Sequence, residues 1–252
     1  MQAATLDVQP SLLPGQAAAP PGPIDLIGMY TIHHAFRRDL DRFVVTVPRT
    51  ALLHEQRWEA LRRRWQRFAL ILHRHHAGED AGLWPMMLDR ADAAGDTEAR
   101  TTLEAMESEH SHIDPLLEAC AELFARLAGG AAAQDRTELE RQLVATRARL
   151  GEHLAHEERD AMAVAQRYLS HADWVHVEET YFRAEYTPRE MLFMVPWVLD
   201  GLPADGRARM LAAAGRPLAI LGWLTALPYA FQEARAFGRS DRALVSRRGS
   251  RG

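Results

Sequence analysis

Lysine is absent from this chain, and all 30 basic side chains are arginines. With alanine so abundant, this points to GC-rich bacterial coding and carries no mechanistic meaning. The only cysteine, Cys120, excludes an internal disulfide and any cysteine-based zinc site. So few thiols suit a reducing cytoplasm. Strand-like alternation is scarce as well: "RFVVTV" (Arg42–Val47) is the one β-branched cluster, and Pro48 ends it. No apolar run is long enough for an ordinary membrane span, since Pro217–Phe231 is short and interrupted by proline. Residues 1–23 lack the basic start and apolar block of a secretory signal. A net charge of −4 with both signs interspersed leaves no basic surface for nucleic acid. A cytoplasmic protein is expected, with neither nucleic acid nor membrane as partner.

What the chain does have is helical periodicity. Its 252 residues suffice for one large domain, or a domain with an appendage. Residues 1–23, rich in Ala, Pro and Gln, read as a disordered lead-in. Amphipathic segments follow at about 24–46, 55–90, 97–128 and 134–169. The breaks between them carry turn residues, with Asp96 and Asp135 as expected N-caps. Long helices with short connections predict an all-α, antiparallel up-and-down four-helix bundle over residues 24–170. Residues 171–252 read as a smaller apolar helical extension with a flexible tail. It needs cover from the bundle or from a partner, such as a second copy or another protein.

Steps of three and four along each segment define the stripe that faces the core. The stripes run Tyr30, His33, Phe36, Leu40, Phe43; Leu61, Trp65, Phe68, Leu72, His75, Glu79; Leu103, Met106, His110, Ile113, Leu117, Phe124; and Leu139, Leu143, Leu150, His153, Glu157, Val164, Tyr168. His34, His112, His156, Arg37 and Arg38 fall on solvated rows. Each helix thus turns one histidine inward, and two of them add a glutamate one turn later. A single inward histidine is ordinarily a hydrogen-bonded core residue. Four of them with two buried acids call for cations, because an uncompensated buried carboxylate is costly.

The donor types narrow the metal. Imidazole and carboxylate suit iron, manganese or zinc, and the lack of thiolates argues against copper(I) or iron–sulfur chemistry. Six candidate ligands exceed what one zinc takes. Two metals bridged by Glu79 and Glu157, with terminal histidines, use the whole set, and a dinuclear iron centre fits best. The spacing is His-x-x-x-Glu, twice, which puts both donors on one helix face. It is not the Glu-x-x-His of ferritin-like proteins, and HExxH is absent, so a zincin protease is not expected.

The pieces "HHAFRRDL" (His33–Leu40), "HHAGEDAGLWP" (His75–Pro85), "EHSHIDPL" (Glu109–Leu116) and "HLAHEERD" (His153–Asp160) lie in this order on four successive helices. Over about residues 24–170 the chain resembles the hemerythrin-like, or HHE, cation-binding family. The resemblance implies a non-haem di-iron site, with two oxo- or hydroxo-bridged iron ions inside a four-helix bundle, manganese remaining open. It implies His33, His75, His110 and His153 as nitrogen ligands and Glu79 and Glu157 as bridges. The pattern departs in two places. Asp114 stands where oxygen carriers of the family have a second third-helix histidine, and Glu157 replaces an aspartate at a different offset. One imidazole fewer leaves an open position or recruits Asp114.

His76 stays open between an alternative ligand, a supporting partner and an exposed residue. Asp80, Asp114 and Glu107 are the acids near enough to accept from histidine ligands. Trp84, Trp174, Trp197 and Trp223 read as core packing, with Trp84 placed to gate small-molecule access. His171 and His176 read as surface residues, and Cys120 as a buried structural thiol. The implied ligand is a small diatomic molecule or peroxide. Three functions follow: binding or sensing of O2 or NO; an enzyme that degrades peroxide or consumes O2; and iron storage, delivery or a structural scaffold.

Overall fold

The structure is a computed structural model that describes residues 13, 15–130, 132–184 and 186–249, the side chains of 239–249 excepted. Among these residues it is all-α, without a strand. The helices are α1 (Ile27–Thr46), α2 (Glu55–Gly78), α3 (Trp84–Ala94), α4 (Thr97–Ala128) and α5 (Ala133–His156). They continue with α6 (Met162–Tyr168), α7 (His171–Val177), α8 (Pro188–Leu199) and α9 (Ala204–Gly249). π-Helical turns at Glu79–Leu83 and Glu157–Ala161 join α2 to α3 and α5 to α6, so each pair is one rod. A third π-turn, Glu178–Arg183, follows α7.

Local chemistry ends and starts these rods. Gly95 closes α3 at φ 69°, in the left-handed region that glycine enters without a Cβ penalty. Asp96 then caps α4, accepting from the Ala99 N–H at 3.0 Å. Asp135 is not an N-cap: α5 starts earlier, and its carboxylate reaches back to the Ala132 N–H at 3.2 Å. α4 runs through Pro115 without ending.

The core stripes are buried as read, with Tyr168 half-buried and Leu169 taking the inward place instead. A π-turn adds a residue to the helix, so a strict 3.6 count drifts off the core face beyond Glu157. The interior consists of two apolar clusters. One holds Phe36, Leu72, Ile113 and Leu154, and the other holds Tyr30, Leu83, Met106 and Ala161. The inward histidines and glutamates lie between them on every rod. α1 and α4 pass from the second cluster to the first, and α2 and α5 pass the other way.

The lead-in is packed where it is described. Leu13 and Ala19 are buried, and the Ala17 N–H donates to Glu158 at 3.1 Å. Residues 1–12 and 14 lie outside the described residues, as do 250–252 of the expected tail, while beyond a break at Gly238 the backbone of α9 is helical again to Gly249.

The C-terminal helices share the bundle's core through Met194, Trp197, Tyr229 and Phe237. Their attachment corrects the reading of Arg38 as solvated. Arg38, Arg42 and Arg64 are buried with Asp39 and Glu233, because α8 and α9 cover that face of α1. Periodicity within α1 carries no information about a further layer. Trp223 is likewise not core. It stands 77% exposed on an outer stripe of α9 with Ile220, Leu224, Leu227 and Phe231. By length and composition Ala204–Gly238 is apolar enough to cross a membrane, unlike the shorter run read from sequence, although Gly215 breaks its helical geometry.

Candidate metal centre

Each of the two inward glutamates opens a π-turn, the local distortion that is frequent at functional sites. Both lie wholly inside, at 0% exposure. The structure brings all six sequence-predicted donors together and adds a seventh. His33, His75, Glu79 and Glu157 form one group, and His76, His110 and His153 form another. Within each group the donor atoms lie within 4.8 Å of one another.

The carboxylates connect the two groups. Glu79 places Oε1 3.0 Å from His75 Nε2 and Oε2 3.6 Å from His110 Nε2. Glu157 Oε2 stands 3.3 Å from His33 Nε2 and 3.8 Å from His153 Nε2. Each acid therefore faces a nitrogen of both groups, as a bridge between two cations must.

The far ring nitrogens are held from behind. Nδ1 of His33 lies 3.0 Å from Glu158, that of His110 2.9 Å from Asp80, and that of His153 2.8 Å from Glu109. An Nδ1–H donated to such a carboxylate leaves the Nε2 lone pair pointing into the site. Arg37 grips Glu158 with two bonds, at 2.6 and 2.9 Å, so it too is no solvated residue. Glu109 also holds His156 at 2.9 Å, which draws that histidine off the solvated row assigned to it.

Burial dominates the electrostatics. It raises the Glu79 pKa well above the usual carboxylate range, and the neighbouring charges of Glu157 and Asp80 add to the rise. Burial and then the neighbouring imidazoles push His75 and His76 well below the usual histidine value. Burial also depresses His153, against the opposing pull of Glu109. Burial would lift Glu158 as well, but His33 and Arg37 outweigh it and leave that acid below its ordinary value.

Among the described residues, His33 Nε2 and His75 Nε2 meet at 3.0 Å, and the other inner atoms have no hydrogen-bond partner. Both oxygens of Glu79, both oxygens of Glu157, Nε2 of His110 and His153, and both ring nitrogens of His76 are buried without a hydrogen-bond partner. Orphaned buried polar atoms are costly and call for an explanation. Here all of them are metal-donor types aimed at one another. Five imidazoles and two carboxylates fit hard or borderline cations such as iron.

Sequence reasoning missed Glu109 and Glu158, which neighbour His110 and Glu157 in the chain. Adjacency to a ligand was the available signal, but a 3.6 count turns such a neighbour away from the core. His76, which the sequence leaves open, lies in the three-histidine group, its ring stacked on His110 at 3.9 Å. Asp114 belongs to neither group, and Glu107 is exposed. The fifth imidazole thus comes from α2, and the reading that one was lacking is revised. Trp84 is buried, its ring 6.5 Å from that of His110. Cys120 is buried against Thr146, and its thiol is pushed up to about 12 by that burial.

Residues 28–165, which span all seven donors, match the family model described as the hemerythrin HHE cation binding domain. No curated protein and no solved structure matches the chain.

Proposed function

The chain belongs to the hemerythrin HHE cation-binding family, and from that premise we propose that it holds two iron ions and uses them to bind or sense O2 or NO. One observation carries this reading: two fully buried glutamates whose oxygens have no hydrogen-bond partner stand between five imidazoles, with no arginine paired to them among the described residues. Such acids need positive charge beside them. Iron in this position supplies the redox and Lewis-acid chemistry that small diatomic ligands require. Glu79 and Glu157 would bridge the pair, with His33 and His75 on one ion and His76, His110 and His153 on the other. Glu158, Asp80 and Glu109 orient the rings and keep each Nε2 free of its proton. The surrounding apolar clusters exclude water.

Elemental analysis of the purified chain tests the metal. The expected content is about two irons per chain, falling towards none in His153→Ala, since removing a ligand weakens such sites severely. Manganese or zinc in place of iron, or equal metal in both proteins, would overturn the reading. A stable coloured adduct on exposure to O2 or NO supports binding or sensing. A second reading, an enzyme that consumes O2 or peroxide, is favoured by a cavity beside His75 far larger than a diatomic molecule needs. Catalytic loss of hydrogen peroxide or O2 by the iron-loaded protein would select it.

A further inference from the structure

A cavity of about 680 Å³ lies between α1, α7 with its π-turn, α8 and the first part of α9. Its volume falls in the range of pockets that hold drug-sized ligands, roughly 300–1,000 Å³. Three of its four walls come from the C-terminal helices, beyond the residues that match the family. The wall is overwhelmingly apolar. α8 contributes Met191, Met194 and Val198, which share one helix face, and Met29 and Met210 contribute from α1 and α9. Methionine-rich surfaces adapt to ligands of varied shape.

The space opens to solvent on one side, so an apolar occupant would take its largely apolar wall out of water. The few polar groups are already balanced. Asp25 pairs with Arg209 at 3.2 Å, and Glu178 lies 3.8 Å from Arg183. Acid and base cancel, so nothing on this wall selects an ionised head group.

One lining residue belongs to both sites. His75 borders the cavity, and its Nε2 lies 3.0 Å from both His33 and Glu79. Its group also has fewer imidazoles than the other, two against three. The π-turn that roofs this region packs tightly on the metal-bearing rod. A Cβ on Gly82 would come within 2.4 Å of the Tyr181 ring, and one on Gly78 within 2.9 Å of its carbonyl oxygen.

We propose that this cavity binds an uncharged, mainly apolar small molecule with a single hydrogen-bonding end, an aliphatic alcohol or carbonyl compound, and holds it against the His75 side of the centre. Nearness to a metal rests on the reading above; binding in the cavity does not.

The test uses the full chain, iron-loaded and metal-free, titrated with the neutral dye Nile red and back-titrated with 1-decanol. One saturable, decanol-displaceable site is expected. Ala214→Phe, from α9, and Val198→Phe, from α8, enlarge side chains that line the cavity, and each should weaken dye binding at least tenfold. Trp223→Ser, on the outer stripe of α9, should leave binding within twofold. Thermal unfolding checks that each variant is folded, and either filling variant alone suffices. Binding that survives the filling, or that is lost in Trp223→Ser, overturns the proposal, as does no saturable binding. Iron measured on the same samples separates the two readings. Dye binding by a chain that never takes up metal would keep the cavity and discard its link to the centre.

Discussion

Among the described residues, carboxylates are buried completely in two places, and the two neutralise them differently. Where α8 and α9 meet the bundle, Asp39 accepts from Arg38 at 2.9 Å, from the Trp197 N–H at 2.8 Å and from Arg64. Glu233 accepts from Arg64 at 2.7 Å and from Arg42 at 3.0 Å. Burial would raise the Asp39 pKa, but the three arginines outweigh it and hold the carboxyl below its ordinary value. In the bundle's middle, Glu79 and Glu157 face imidazoles, of which burial holds His75 well below the usual histidine value, and their oxygens have no hydrogen-bond partner. The chain supplies its own cations to Asp39 and Glu233 and none to Glu79 and Glu157. Equal burial with unequal compensation identifies the second cluster as incomplete without a ligand.

This contrast can be broken at either end. The largest effect is expected from Glu233→Gln, which leaves Arg64 and Arg42 short of charge inside. A loss of about 3–5 kcal/mol is expected from the broken buried pair, readable by denaturant unfolding, with metal content unchanged. Next comes Glu158→Gln, which takes the negative charge from behind His33 and one of the two acceptor oxygens from Arg37. Metal affinity should drop about 10–100-fold, measured by competition with a chelator, while the unloaded protein folds as before.

The third effect has the opposite sign from the first. In metal-free protein, Glu79→Gln removes a buried acid with no partner, so the melting temperature should rise, by about 1–2 kcal/mol equivalent. A lower melting temperature would show that Glu79 is paired after all.

The smallest effect is in pH. Asp39 has a depressed folded pKa, so its contribution is complete above its unfolded value of about 4. It is lost as the pH falls through the lower folded value. The stability gap between wild type and Asp39→Asn should therefore be constant near neutrality and close below about pH 4. A gap that persists at the acid end would mean that Asp39 is not held ionised by these arginines.

Much of the centre was legible because its donors interrupt apolar stripes. His33, His75, His110 and His153 replace core residues at positions where a helix must face inward, and Glu79 and Glu157 follow one turn later. Periodicity finds such residues whatever their partners. It failed where a residue's fate depends on another element. Arg38 and Arg42 occupy a face of α1 that only the C-terminal helices bury, and Trp223 lies in an apolar run of which one side is left uncovered. His76 and Glu158 sit beside stripe residues, and whether a neighbour enters the core depends on π-turns and on what approaches from across the bundle.

From residues alone came the helical rods, their breaks, the two carboxylates that require cations, and four of the five imidazoles. Each is a property of one helix, written in its own period. Tertiary packing decided the fifth imidazole, the arginine-lined counterpart of the site, and the cavity that meets it at His75. It also decided the pairing of His33 with Glu158, residues 125 positions apart. A helix's sequence records which of its faces is apolar, but which other face meets that one is settled only when distant segments compete for the same buried space.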